Sequence, residues 1–225
     1  MSLLLIQNGT VITASGQTDA DVLVRDGVIA KVAPAIDAPS DAEVIDAAGH
    51  WVMPGGIDTH THLAHPIGRL GVTTADDFHT GTVAGAFGGV TTILDFGLQD
   101  QGGSLLEARD RRLDVIRPDA VIDYGFHLIV TDVNERTLEE IATLAADGFP
   151  SFKVYMTYGD KKIDDDDLIR ILEVTAGHGG LVYAHCENDC AVTHLIERHL
   201  AEGKTGPAYH ATSRPPAVEA EATNR

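Results

Sequence analysis

The hydrophobic rhythm of the chain changes once, near Pro54-Gly55-Gly56. Before that point apolar residues come in short runs without a helical period. LLLIQ, TVITA, VLVR, VIAKVA and EVIDA read as strands. Asn8-Gly9 and Asp26-Gly27 are hairpin-forming dipeptides, and each lies between two such runs. Pro34, Pro39, Ser40 and Asp41 mark a loop, and Arg25 and Lys31 suit the wet positions of a sheet. Residues 1–52 are therefore expected to form a small β-sheet.

From residue 53 short apolar runs alternate with amphipathic stretches. The runs are GIDTHTHL at 56–63, VTTILDFG at 90–97, AVIDYGFHLIV at 120–130, FPSFKVYMTY at 149–158 and LVYAHCEN at 181–188. Their starts recur at roughly 30-residue intervals, the length of one βα unit. Helices are expected at 104–116, 134–146, 165–177 and 189–202. In the third of these, Leu168, Ile171, Leu172 and Thr175 share a face, and Asp164–Asp167 sit at the N-terminus, where acids complement the helix dipole. Strands alternating with helices imply an α/β fold, a parallel sheet covered by helices. Five strand–helix units are counted over 53–225. The tail from Thr205 is richer in Pro, Ala and Glu and stops without a terminating element.

Composition narrows the function. The chain has 225 residues, 44% of them hydrophobic, and its formal net charge is −18. The apolar fraction is too high for a disordered chain, and no apolar run is long enough to span a membrane. MSLLLIQNGTV lacks the basic and apolar regions of a signal peptide. The negative charge argues against nucleic-acid or anionic-membrane partners. Two cysteines, Cys186 and Cys190, cannot form a disulfide framework, so a cytoplasmic location is expected.

Three features could carry chemistry. His60 and His62 lie two apart at the end of an apolar strand, where i and i+2 point to one face and can reach one metal ion. With 11 His in the chain, such a pair also arises by chance. Asp58 could orient a ligand imidazole or simply shape a turn. Lys153 sits among Phe152, Val154, Tyr155 and Met156. Burial would leave its amine neutral, ready to form a Schiff base or to take up carbon dioxide as a carbamate; a snorkelling lysine fits the same pattern. His185 ends another apolar strand, as a ligand or as a core histidine. Cys186 and Cys190 could be soft ligands or buried thiols.

Together these features are more telling than separately. In a parallel barrel all strand C-termini open on one face, which hosts the active site. His60 and His62 end the first strand, Lys153 lies on the fourth and His185 ends the fifth. Tyr158 falls in the loop after Lys153, where its phenol could donate to a developing oxyanion.

The runs PGGIDTHTHL, ADDFHTGTVAGAFGGVTTILDF, SFKVYMTY, YAHCEN and YHATSRPPAVEAEA resemble the hydantoinase/dihydropyrimidinase group of metal-dependent cyclic amidohydrolases. The resemblance implies an incomplete TIM-like (β/α)8 barrel over 53–225, preceded at 1–52 by part of a β-sandwich. It implies two divalent cations, zinc the expected ion, bridged by carbamylated Lys153. His60 and His62 would bind one metal and His185 the other, and Tyr158 would contact the substrate carbonyl. The implied activity is ring opening of a dihydropyrimidine or hydantoin to an N-carbamoyl amino acid. The implied assembly is a homodimer or homotetramer. Leu63-Ala64-His65 follows the histidine pair where dihydroorotases usually carry an arginine, which favours an uncharged ring. Allantoinase- or dihydroorotase-like hydrolysis, and a non-catalytic assembly protein of the same fold, are the alternatives. The family's remaining histidine and aspartate ligands would lie beyond Arg225, so these 225 residues alone are expected to be inactive.

Overall fold

The computed structural model describes residues 2–67 and 71–225. It divides into two compact units, one ending at Gly56 and one beginning at Ile57. The first unit is a five-stranded sheet of β1 (Leu3–Thr13), β2 (Gly16–Arg25), β3 (Val28–Ala33), β4 (Glu43–Asp46) and β5 (Trp51–Val52). Its order is β3-β2-β1-β4, and β5 also pairs with β1. The hairpin expected at Asp26-Gly27 forms, with both residues at positive φ.

Asn8-Gly9 does something else. β1 runs straight through it, and the register steps from Ile6↔Val22 to Gly9↔Ala20. Gln7 and Asn8 thus oppose Asp21 alone, which is a β-bulge rather than a turn. Asn8 takes a positive φ, its N–H donates to Asp21 Oδ1 at 2.9 Å, and its Nδ2 donates to Asp46 Oδ1 at 2.9 Å. A Cβ at Gly9 would lie 2.5 Å from Val52 Cγ2, so glycine lets β5 close on the bulge. A dipeptide permissive of left-handed backbone serves either device, and here side-chain acceptors select the bulge.

The second unit opens with β6 (Gly56–Asp58) and a small ribbon of β7 (Pro66–Ile67) and β8 (Val72–Thr73). Then α1 (Phe78–Phe87), β9 (Val90–Leu98), α2 (Leu105–Ile116), β10 (Asp123–Ile129) and α3 (Glu135–Ala146) alternate. β11 (Ser151–Tyr155), α4 (Asp165–Gly177), β12 (Leu181–His185) and α5 (Asp189–Ala201) continue the alternation. The sheet order is β12-β11-β10-β9-β6, the strands in chain order, and β9 through β12 pair in parallel. This is the progression of a (β/α)8 barrel through its first five strands. Two helices left unassigned by pattern, α6 (Ala208–Thr212) and α7 (Pro216–Asn224), follow.

α1 is also absent from the periodicity, because Gly81 and Gly85 interrupt it. Asp77 and Thr80 start this helix with a reciprocal capping box. A Cβ at Gly81 would come 2.5 Å from Leu63 Cδ2, so the glycine admits the loop after β6. Ser104, Asn134, Asp164 and Asn188 each cap the following helix by accepting a backbone N–H.

Strand alternation sets the two faces of this sheet. Phe126, Leu128, Phe152 and Val154 enter the core with Ile141, Leu144 and Ile171 from the helices. The residues between them, His127, Lys153 and Tyr155, point to the opposite, barrel-interior face. Burying the apolar set stabilises the sheet–helix layer by about 1.5–3 kcal/mol per large side chain.

Candidate metal and substrate site

β6 ends at Asp58, whose Oδ1 accepts from the His60 backbone N–H at 3.1 Å. Asp58 thus shapes the turn that carries the histidines. Tyr183 also reaches this histidine: its hydroxyl lies 2.9 Å from His60 Nδ1. The Nε2 atoms of His60 and His62 face each other at 3.2 Å. Both rings pack on Phe96, with centroids 4.8 and 4.6 Å away.

A buried ion pair holds the loop that bears His62. Asp95, wholly inaccessible on β9, accepts from Thr61 Oγ1 at 3.0 Å, from the Leu63 N–H at 2.9 Å and from Arg112 Nε at 3.0 Å. Arg112, on α2, also donates through Nη2 to the Leu63 carbonyl at 2.5 Å. Its guanidinium lies 4.6 Å from the centroid of Phe78. His127 fastens Thr59, the residue before His60: its Nε2 is 2.9 Å from the Thr59 carbonyl, and its Nδ1 is 2.6 Å from Ser151 Oγ.

Lys153 is 4% exposed. Its Nζ lies 4.1 Å from the Tyr183 ring centroid and 5.0 Å from that of Tyr155. Among the described residues no carboxylate pairs with it, and burial lowers its pKa. Loss of solvation lowers the His60 pKa as well, with Lys153 and His127 adding to the effect. The His62 pKa is pushed down to about 4, first by desolvation and then by His65 and His60. His60 and His62 thus favour their neutral, electron-donating forms, and burial disfavours the Lys153 ammonium relative to an exposed lysine.

His185 sits beside Tyr155 and Tyr158, with centroids 5.9 and 4.9 Å away. Its Nε2 lies 3.0 Å from Glu187 Oε2, and Arg214 Nε lies 3.4 Å from the other carboxylate oxygen. Donation of Nε2–H to Glu187 leaves the Nδ1 lone pair free, the arrangement usual for a metal-binding histidine. Tyr158 follows β11 at a φ of +72°. Thr157 Oγ1 and Lys162 Nζ, on either side of it, donate to Asp189 at 3.0 and 2.9 Å. Burial and Glu187 raise the Tyr158 pKa, so its phenol keeps its proton at neutral pH. An open cleft of about 480 Å³ next to Tyr158 has Leu98, Ile67 and His65 in its walls. A second hollow, of about 380 Å³ and including Asp164, Asp189 and Arg225, contains none of the expected site residues.

The structure thus brings His60 and His62 together, with Lys153 behind Tyr183. It places His185 with Tyr155, Tyr158 and Glu187. Among the described residues no three His, Cys, Asp or Glu side chains close into a metal cage. The histidine pair alone has a spacing that a cation accepts. Two nitrogens each about 2.05 Å from a tetrahedral zinc ion stand about 3.3 Å apart, and His60 and His62 stand 3.2 Å apart.

The amidohydrolase family model matches residues 51–212. The chain belongs to the amidohydrolase family. Within this family it is similar to the D-hydantoinase of Geobacillus stearothermophilus, 46% identical over 98% of this chain and 47% of the relative. The D-hydantoinase of Streptomyces coelicolor is 45% identical over 100% of this chain and 49% of the relative. The crystal structure of dihydropyrimidinase from Brevibacillus agri superposes with a TM-score of 0.93 at 46% identity, covering 99% of this chain and 48% of that one. The amidohydrolase chain described here therefore spans about half the length of the curated relatives it matches.

Sequence reasoning missed Tyr183, Asp95, Arg112, His127 and Glu187. Two carried a usable signal. Asp95 is a charge inside the apolar run ILDFG, the same anomaly that singled out Lys153. Tyr183 precedes His185 by two, so it shares its strand face.

Proposed function

We propose that this chain forms part of a metal-dependent cyclic amidohydrolase that opens a dihydropyrimidine or hydantoin ring to an N-carbamoyl amino acid. The observation that carries the reading is the 3.2 Å approach of His60 Nε2 to His62 Nε2 on the strand-end face that also bears Lys153. In this reading His60, His62 and His185 hold divalent cations, with zinc the ion of choice. Divalent cations bound there supply Lewis acidity and an ionised water at neutral pH.

The chain's own groups do the rest. In this reading the Lys153 amine, once deprotonated, forms an N–C bond to carbon dioxide as one C=O π bond opens, and its N–H proton passes to water, leaving an anionic carbamate with two donor oxygens. This places an anion beside electron-donating imidazoles, which suits a cationic guest. Tyr158 donates its phenolic hydrogen to the ring carbonyl oxygen as negative charge grows there. Asp189 holds the loop on both sides of Tyr158, so the donor is oriented before the substrate arrives. Leu98 and Ile67 give the adjoining cleft an apolar wall on which a ring could pack, alongside the charged Asp160 and Lys161. Free thiols at Cys186 and Cys190 suit a reducing cytoplasm. No helix among the described residues is long and apolar enough to cross a membrane.

The test is a substrate panel on the full-length protein: dihydrouracil, hydantoin, allantoin and dihydroorotate, with product identified by mass. Ring opening of the first two to N-carbamoyl amino acids is expected. Turnover of allantoin or dihydroorotate in their place, or of none of the four, overturns the assignment.

A further inference from the structure

We propose that Tyr183 is a positioning residue that fixes the tautomer of His60, an inference that rests on the reading of His60 as a metal ligand. β6 and β12 are the two edges of the five-stranded sheet. The Tyr183 hydroxyl from β12 nevertheless reaches His60 Nδ1, just beyond β6, at 2.9 Å. The contact therefore spans the concave face of the curled sheet and joins its first strand to its fifth.

An imidazole that binds a cation through one nitrogen carries its proton on the other. His60 Nε2 is the atom that faces His62 Nε2. Nδ1 therefore carries the hydrogen and donates it to the Tyr183 oxygen, leaving the Nε2 lone pair for the cation. Glu187 performs the corresponding task at His185 with the nitrogens exchanged.

Tyr183 is well placed to hold a proton position. Its Cα is in register with Lys153, and Lys153 Nζ lies 4.1 Å from its ring centroid. The His127 ring packs against it at 5.4 Å. His60, by contrast, sits on a loop in an exposed position. The strand residue holds the loop residue.

The experiment compares the full-length wild type with Tyr183→Phe and with Tyr124→Phe, a control at a ring that packs instead on Phe126. Zn²⁺ affinity is measured by chelator competition. The His60 tautomer is read from ring ¹⁵N shifts of the metal-free protein. Phenylalanine keeps the ring between Lys153 and His127 and removes only the hydroxyl. Tyr183→Phe is expected to weaken Zn²⁺ binding by about 10- to 100-fold and to move His60 away from the Nδ1–H tautomer, with Tyr124→Phe unchanged in both. Equal affinity in Tyr183→Phe and wild type overturns the proposal, as does a wild-type His60 protonated at Nε2. A wild type that binds no Zn²⁺ defeats the metal reading itself, and the tautomer measurement still decides what Tyr183 does.

Discussion

Arg112 on α2 donates to Asp95 on β9, and the pair closes over the loop that carries His62. Both side chains are buried, and the Asp95 carboxylate takes further hydrogen bonds from Thr61, Leu63 and Phe96. Removing one partner leaves the other charge in a low-dielectric interior. Arg112→Met should therefore cost about 3–5 kcal/mol of stability. Urea unfolding of the full-length protein measures it. A loss below about 1 kcal/mol would show that the pair is solvated and does not hold the loop.

Tyr158 is the proposed donor to the substrate carbonyl and is not among the proposed metal ligands. Tyr158→Phe should lower kcat by about 100-fold or more, as loss of one oxyanion donor does. Bound metal should not change. Steady-state kinetics alongside metal analysis separates the two effects. A variant that loses metal along with rate would move Tyr158 into the metal-binding set.

The N-terminal sheet should respond to acid through Asp21. Its carboxylate accepts the N–H groups of Asn8 and Ile36 at 2.9 and 2.8 Å, and these hold its pKa below the ordinary carboxylate value. A group depressed on folding stabilises the fold fully above its unfolded pKa of about 3.9. That contribution is lost as pH falls through the folded value. Asp21→Asn should melt below wild type at pH 7, and the gap should close as pH drops below about 4. A gap that is constant with pH would show that the bulge does not depend on the charge.

Much of this architecture was legible in the order of residues. The strand–helix alternation was readable because apolar residues keep one period per element, and four helices start at Ser, Asn or Asp caps. The first helix was not, since Gly81 and Gly85 weaken its helical pattern, and Gly81 is there to admit Leu63 rather than for helix propensity. Asn8-Gly9 misled because its left-handed backbone suits both a hairpin and a bulge, and only Asp21, thirteen residues away in the chain, decides between them. At the site, Lys153 stands out locally as a polar group in an apolar strand, and His60 and His62 as a pair in the loop just after one. Asp58 was legible as a turn former or an imidazole partner, and its bond to the His60 N–H shows the turn. Tyr183, Arg112 and Glu187 matter through what they touch across the sheet, and a linear pattern carries little of that.

Lys153 and the surrounding histidines are proposed to hold the catalytic metal. Metal content and turnover of Lys153→Ala in the full-length protein test this most directly. Loss of ring-opening activity together with a fall in bound divalent metal is the predicted result. Full metal occupancy with normal turnover in that variant would contradict the account.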